Sequence, residues 1–243
     1  MSCLSTIRRI PDNRPYKMKI STIRHNLWIL RSLHKTIYFN LKCLPFRQAL
    51  KLPILLYKPK LRSLEGKVRI ESGVIRTGMI KLGLPNVSIY PDTGIMLELR
   101  GEVVFQGSCL IGNASYISVS EGGKAIIGDA FQATTSLKLV CYDKVSIGRN
   151  VLVGWDCLVC DNDFHTLSDK ESGLPLPNHG PISIGDRCWI ANGCCIMKNA
   201  TLPPNSVVAS HSMVNRCMDD IPGFSIIAGT PAVLRKTGVI WDY

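Results

Sequence analysis

The chain has 243 residues, of which 46% are hydrophobic and 19% are charged, so it can form one large domain or two small ones. These values exclude a disulfide-stapled miniprotein and a chain that is disordered over most of its length. The formal net charge of +11 is uneven, because residues 1–60 hold 13 Lys and Arg against the single acid Asp12, and the remainder is near neutral. Charges interrupt every long apolar run, and the first residues lack the apolar stretch of a secretory signal. We therefore expect neither an integral membrane protein nor an exported one, but a cytoplasmic protein.

Residues 1–65 form a basic, amphipathic N-terminal segment in this interpretation. Leu27, Leu30 and Leu33 begin a run of apolar residues at helical spacing, which Pro45 and Pro53 interrupt. A basic helix of this kind can lie on an anionic membrane surface, here the inner face of the cell membrane, or pack on its own body or on a neighbouring subunit. Both alternatives stay open. Nucleic acid also attracts basic segments, but we expect no nucleic-acid partner.

From residue 66 to residue 243 the sequence has a period of six. Aliphatic residues keep this spacing over one long run and several shorter ones: Ile184, Ile190, Ile196, Leu202, Val208 and Val214; Ile147, Val153 and Val159; Leu99, Phe105, Ile111 and Ile117; and, more weakly, Ile127, Ala133 and Leu139, and Val68, Val74 and Ile80. Neither the 3.6-residue period of a helix nor the two-residue period of a strand explains this spacing. A triangular solenoid does, because three hexapeptides close one coil of about 18 residues with the aliphatic residues stacked inside.

Small residues occur four positions after many of these aliphatic residues, and several of them are cysteines. Cys157, Cys188 and Cys194 hold such positions, which lie at the corners of a narrow solenoid. Cys157 and Cys160 also form a C-x-x-C pair, but no second pair at zinc-site spacing accompanies it. We therefore interpret the ten cysteines as structural thiols in a reducing compartment.

Three motifs accompany the repeats: DNDFH at 161–165, IGDRCWIA at 184–191 and AGTPA at 228–232. Together they resemble the hexapeptide-repeat acyltransferases, in particular the galactoside, maltose and capsular-polysaccharide O-acetyltransferases, over about residues 66–238. The resemblance implies an all-β fold, a left-handed parallel β-helix, with a short C-terminal tail. It also implies acetyl-CoA as the donor and a homotrimer with active sites between adjacent subunits. The basic N-terminal helical segment lies outside the resemblance.

His165 is the predicted general base. It lies six residues after Val159, where the next aliphatic residue is due, and it opens a polar loop at 165–181 that interrupts the repeat. An imidazole with a pKa near neutrality is suited to removing a proton from a hydroxyl. The resemblance implies that the acceptor hydroxyl then attacks acetyl-CoA directly, without a covalent enzyme intermediate. Asp161 or Asp163 would orient the imidazole and Asn162 would bind sugar hydroxyls, although all three can instead form turns through their side chains.

Donor-binding residues follow from the same resemblance. It places Ala191, Asn192 and Ser210 along the pantetheine arm of the donor. Trp155 and Trp189 would stack on the sugar or the donor, or else cover the coil surface. Arg235 and Lys236 follow the GTPA turn and would meet the nucleotide phosphates. The chain departs from the family there, since Val233 and Leu234 stand where a basic residue usually follows the Ala, so either cation could be the phosphate ligand.

The predicted function is an O-acetyltransferase that modifies a saccharide hydroxyl in the synthesis of a surface polysaccharide, with the acceptor free or lipid-linked. Two alternatives remain: an N-acyltransferase acting on a nucleotide-linked amino sugar, and a non-catalytic scaffold. Some related solenoids are zinc carbonic anhydrases, and His165, His179 and His211 are numerous enough for that site. They lack the short spacing that those enzymes use, so we expect no metal.

Overall fold

Three parallel sheets form the body of the protein, which a computed structural model describes from residue 30 to residue 242. Sheet A holds β1 (Ile54–Leu56), β4 (Ile80–Leu84), β7 (Cys109–Gly112), β10 (Phe131–Ala133), β13 (Leu152–Val153), β16 (Trp189–Ile190), β19 (Val207–Val208), β21 (Ile226–Gly229) and β22 (Ala232–Lys236). Sheet B holds β2 (Lys60–Leu64), β5 (Ile95–Leu99), β8 (Ser115–Val119), β11 (Lys138–Cys141), β14 (Leu158–Cys160), β17 (Cys195–Met197) and β20 (Met213–Val214). Sheet C holds β3 (Lys67–Ile70), β6 (Glu102–Phe105), β9 (Lys124–Ile127), β12 (Lys144–Ile147), β15 (Ile182–Ile184) and β18 (Thr201–Leu202). The chain visits the sheets in rotation, so the predicted β-helix fold class is confirmed.

Coil length varies along the solenoid. Ile184 pairs with Leu202, 18 residues later, as predicted. Val103 pairs with Ala125, 22 residues later, and Ala125 lies next to Val145 at an interval of 20. The breaks in the sequence register therefore mark longer coils. Val74, placed on the weak upstream run by its spacing, is 64% exposed in the segment before β4, so that assignment is wrong.

The corners combine a left-handed backbone residue with a small buried one. Such pairs include Asp156–Cys157, Arg187–Cys188 and Asn205–Ser206, whose first members have φ values of 58°, 55° and 61°. The Cys188 thiol donates to the Pro203 carbonyl of the next coil at 3.2 Å, and burial raises the pKa of Cys188 to about 11. A protonated, buried thiol is a small hydrophobe. The cysteines at these corners therefore act as packing residues, in agreement with the interpretation of the sequence.

Two short helices cover the N-terminal end of the solenoid. Helix α1 spans Leu33–Cys43 and helix α2 spans Phe46–Ala49. α1 lies against β1 and β3, and it turns Thr36, Phe39 and Asn40 toward the body. Within residues 30–242 no helix is long and apolar enough to span a membrane.

Polar side chains of α1 satisfy the open edge of β1. Asn40 Nδ2 donates to the Ile54 carbonyl at 2.7 Å, and the Ile54 N–H donates back to Asn40 Oδ1 at 3.2 Å. One helical turn earlier, Thr36 Oγ1 accepts the Leu56 N–H at 3.1 Å. Four residues of helix and two residues of strand both advance about 6 Å, so the two rows stay in step. α1 thus replaces a preceding strand and blocks edge-to-edge association.

The solenoid begins earlier than the boundary at residue 66 that the sequence predicts. β1 pairs with β4 from Ile54, and β2 pairs with β5 from Lys60. The last part of the predicted N-terminal segment is therefore part of the first coil. Its period is obscured because the proline breaks and the neighbouring helix interrupt the repeat. The segment before residue 30, with its predicted helical start at Leu27, lies outside the described residues.

We predict that Asn40→Leu destabilises the first coil, because the N–H and C=O of Ile54 would stay buried without partners. The expected loss is about 2 kcal/mol or more in the free energy of unfolding, with faster hydrogen exchange at the Ile54 amide. Tyr38→Ala, on the exposed side of the same helix, is the control and should change stability by no more than about 0.5 kcal/mol. Parent-like exchange at Ile54 in Asn40→Leu would contradict the capping role.

Candidate active site

A groove of about 410 Å³ crosses the outer face of sheet A near its C-terminal end. Eleven residues line it: Thr134, Leu152, Gly154, Trp155, Trp189, Ala191, Asn192, Val207, Ala209, Ser210 and Ile226. The structure therefore brings together the predicted donor-binding residues Ala191, Asn192 and Ser210 with both predicted tryptophans. The groove runs over β10, β13, β16, β19 and β21, which is about 19 Å at the usual strand spacing. That shape suits a long, thin ligand.

Small residues make the groove, and the backbone at its wall is partly unpaired. The Ala191 N–H donates to Val208 at 2.9 Å, so the ladder between coils uses this donor. The next N–H, that of Asn192, has no acceptor within residues 30–242, and neither has the N–H of Ser210 one coil later. A Cβ at Gly154 would come 2.8 Å from the Asn192 nitrogen. Glycine at 154 therefore keeps this donor open.

Asn192 is held in place by the following coil. The Ser210 hydroxyl donates to Asn192 Oδ1 at 2.7 Å, and Asn192 Nδ2 lies 3.5 Å from His211 Nε2. The Asn192 carbonyl accepts the His211 N–H at 2.9 Å. These contacts fix a polar end on an otherwise apolar groove.

The two predicted tryptophans differ in their surroundings. The Trp189 ring lies 6.1 Å from the Trp241 ring, centroid to centroid, with the planes tilted by 43°. Trp241 Nε1 donates to the Arg187 carbonyl at 2.8 Å, which anchors the C-terminal tail over the coil. Trp155 lies at a corner, beside Asp156, whose carboxylate accepts the Tyr90 hydroxyl. Trp241 was missed from the sequence, because the tail carries no repeat.

A β-bulge separates the two candidate phosphate ligands. β22 runs antiparallel to β21, with Leu234 opposite Ile227 and Lys236 opposite Ile226, so Arg235 is the extra residue. Arg235 Nε donates to the Ala228 carbonyl at 3.3 Å. Ile226 lines the groove, so Lys236 stands beside the groove end, whereas the Arg235 side chain is bonded back to the strand. The choice between the two cations stays a prediction.

The segment from 161 to 181 is inserted between β14 and β15. Val159 pairs with Ile196, 37 residues later, which adds 19 residues to an ordinary coil. Antiparallel bridges join Asn162 to His179 and Ser168 to Pro175 across the insertion. The insertion thus leaves the corner at residue 161, four residues before the predicted start at His165.

His165 lies on the exposed part of this loop. Its imidazole has no hydrogen-bond or ion-pair partner within the described range 30–242, and it does not line the groove on sheet A. Also within one described chain, no three His, Cys, Asp or Glu side chains gather at metal-binding distance. His165 is therefore a free imidazole on a separate surface from the donor-binding residues.

The DNDF residues build the turn that presents His165. Asp161 is buried, and its carboxylate accepts the backbone N–H groups of Tyr142 at 2.6 Å and Asp143 at 2.9 Å. Asn162 Oδ1 accepts the Phe164 N–H, as in an Asx turn. Neither Asp161 nor Asp163 bonds to the His165 ring in the described part of the chain. Their predicted support of the base, and sugar binding by Asn162, stay predictions.

Lys198 fastens the loop and was missed from the sequence. Its Nζ lies 2.6 Å from the Asp163 carboxylate and donates to the Pro177 carbonyl at 2.6 Å, which joins the two ends of the insertion. His179 lies close by, with Nδ1 3.5 Å from the Asp143 carboxylate and its ring 5.6 Å from the Tyr142 ring. These partners come from distant parts of the sequence, so no local pattern indicates them.

Comparison with known proteins identifies the family. The chain is 30% identical over 163 residues to the "Uncharacterized 24.8 kDa protein in cps region" of Klebsiella pneumoniae, covering 67% of this chain and 71% of that protein. It is 26% identical over 182 residues to the galactoside O-acetyltransferase of Escherichia coli K12, covering 69% of this chain and 87% of that enzyme. The chain belongs to the hexapeptide-repeat acyltransferase family. The predicted family and enzyme class are confirmed.

Two further comparisons complete this result for the acyltransferase. The crystal structure of the polySia-specific acetyltransferase NeuO covers 76% of this chain and 89% of its own, with 18% identity and a TM-score of 0.48. No model of a known protein family matches the chain.

We predict that Lys198→Met loosens the loop of this acyltransferase, because the Asp163 carboxylate and the Pro177 carbonyl lose their shared cation. Hydrogen exchange over residues 161–181 should accelerate about tenfold, and acyl transfer should slow by about tenfold or more. Lys144→Met, which removes an exposed lysine from sheet C, is the matched control and should leave both unchanged. Unchanged exchange in Lys198→Met would show that the contact does not hold the loop.

Proposed function

We propose that this acyltransferase moves an acetyl group from acetyl-CoA to a hydroxyl of a saccharide, with His165 as the general base. The observation that carries the proposal is an exposed imidazole without a protein partner, held on a fastened loop. A base must be free to reach the proton that it removes. His165 accepts the hydroxyl proton as the acceptor oxygen bonds to the thioester carbonyl carbon. His165 then returns the proton to the departing thiolate as the carbon–sulfur bond breaks.

The groove on sheet A is the proposed donor site. Its two open N–H groups, from Asn192 and Ser210, can pair with carbonyl oxygens of the pantetheine arm, while its apolar wall contacts the methylene groups. Lys236 and Arg235 at the groove end would meet the nucleotide phosphates. Acetyl is the proposed acyl group because the galactoside-modifying relative is named as an acetyltransferase.

We further propose that the active site is completed by a neighbouring subunit of a homotrimer. His165 and the groove lie on different surfaces of one chain, so a second copy is needed to bring them together. The outer face of sheet B supports this arrangement, since its later strands present apolar side chains to solvent: Val140, Leu158, Cys195, Met197 and Met213. Sheet C carries ion pairs instead, Arg69–Glu102 at 2.7 Å and Lys124–Glu102 at 3.0 Å. Sheet C is thus the face suited to solvent.

The acceptor is proposed to be a saccharide because relatives that modify galactosides and polysialic acid share this framework of repeats. Several polar groups surround the loop that carries His165. The imidazole of His179 and the hydroxyl of Tyr142 lie beside Asp143 near the base of the loop. Hydroxyl-rich ligands are recognised by groups of this kind.

We predict that His165→Ala lowers acetyl transfer from acetyl-CoA to its saccharide acceptor by about 10²–10⁴-fold, the usual contribution of general base catalysis. The measurement is release of free CoA thiol with a panel of neutral sugars, amino sugars and nucleotide-linked amino sugars. His34→Ala, an exposed histidine of α1, is the matched control and should retain parent activity.

Two outcomes would contradict the proposal. Parent-like turnover by His165→Ala would remove the assigned base. Turnover only with an amino sugar, and none with hydroxyl acceptors, would favour the N-acyltransferase alternative.

We predict that two inactive variants restore activity when combined in mixed trimers. His165→Ala lacks the base but keeps the groove, whereas Gly154→Leu fills the groove but keeps the base. If each site joins one subunit's loop to its neighbour's groove, equal mixing should recover about a quarter of parent activity, because each mixed trimer regains one of three sites. Ala209→Trp is the second groove variant, in case Gly154→Leu does not assemble.

The control for this experiment is native mass spectrometry of the mixture, which reports mixed trimers directly. Mixed trimers without recovered activity would place the loop and the groove of each site in the same subunit. Absence of any trimer of the parent chain would contradict the proposed assembly.

A further inference from the structure

The outer face of the two N-terminal helices is apolar, although the face of α1 toward the protein is largely polar. Ser32, Thr36 and Asn40 face the first coil, and their side chains bond to its backbone. Ile37, Tyr38 and Leu41 project from the opposite side of α1 and are exposed. Packing on the chain's own solenoid therefore does not account for these apolar residues.

Helix α2 and the turn after it extend the same exposed surface. Phe46 is 66% exposed and Leu50 is 65% exposed. We call Leu30, Ile37, Tyr38, Leu41, Phe46 and Leu50 the cap face. A contiguous group of large apolar side chains on a monomer usually marks a contact site for another molecule or for a membrane.

Positive charge surrounds the cap face. Lys42, Arg47 and Lys51 are exposed beside its apolar residues, and His34 lies one turn before Tyr38. The sequence has no Asp or Glu between Asp12 and Glu65, so no acidic side chain of the cap helices opposes these cations. An apolar surface with a purely cationic rim complements a bilayer with anionic headgroups, since the apolar groups enter the interface and the cations meet phosphate.

We propose that the cap face binds an anionic membrane surface. The solenoid would then stand on the bilayer, because the cap helices cover the first coil. The groove spans β10 to β21 of sheet A, at about 14–34 Å from β1 at the usual strand spacing. The active site would therefore lie above the headgroups, within reach of a saccharide that is anchored in the same membrane.

The test is flotation of the full chain with vesicles of phosphatidylcholine alone and of phosphatidylcholine mixed with phosphatidylglycerol. The parent should bind the anionic vesicles and bind the neutral ones at least about tenfold more weakly, with binding that falls as salt is raised. Leu41→Glu with Phe46→Glu should lower binding to the anionic vesicles by at least about tenfold. Point variants are used because deletion of residues 1–60 would remove β1 and expose the core.

The matched control is Ile89→Glu with Ile240→Glu, which makes the same charge change at two residues that are 76% and 71% exposed elsewhere. It should bind as the parent does. Thermal unfolding and native mass establish that both double variants are folded and assembled.

Three results would overturn the proposal. The first is equal binding of the parent to neutral and anionic vesicles, or none to either. The second is parent-like binding by the cap-face variant. The third is a parent assembly that the cap-face variant dissociates in the absence of vesicles, which would assign the cap face to a second copy of the chain.

Discussion

The stacking of each coil on the previous one is the interaction on which this structure depends. Strands of two to five residues have too little surface to be stable alone, and they persist because each pairs with its counterpart in the neighbouring coil. Register between coils therefore has to be kept along the inward rows, of which Ile147, Ile184 and Leu202 are one. Extra residues are tolerated only at corners, as in the longer upstream coils and the 161–181 insertion. The loop that carries His165 is such an addition.

A stack of this kind leaves two ends to protect, and the chain closes them differently. At the first coil, Thr36 and Asn40 offer side-chain donors and acceptors to the edge of β1. At the other end, β22 folds back on β21, and a bulge at Arg235 breaks its register. Both ends also carry features that point to function: the cap face, whose apolar residues are left outward because polar residues do the capping, and the pair of cations beside the groove.

The sequence predicted the interior better than the surroundings of the site. A period of six indicates which residues stack inside, because that spacing is set locally by the length of one side of the triangle. The groove residues were predicted for the same reason, since Ala191, Asn192 and Ser210 recur at repeat positions. Lys198 binding Asp163, and Trp241 against Trp189, join residues about 35 and 52 positions apart without any period. The inward polar stripe of α1 was also missed, because its leucines dominate the helical pattern.

The central claim is that the base of one subunit meets the donor held in the groove of its neighbour. A crystal structure of the trimer with bound CoA tests this most directly. The account predicts that the pantetheine arm lies along Gly154, Ala191 and Ala209, with the His165 imidazole of an adjacent subunit within about 4 Å of the thiol. CoA bound on another face, or a thiol remote from every His165, would contradict it.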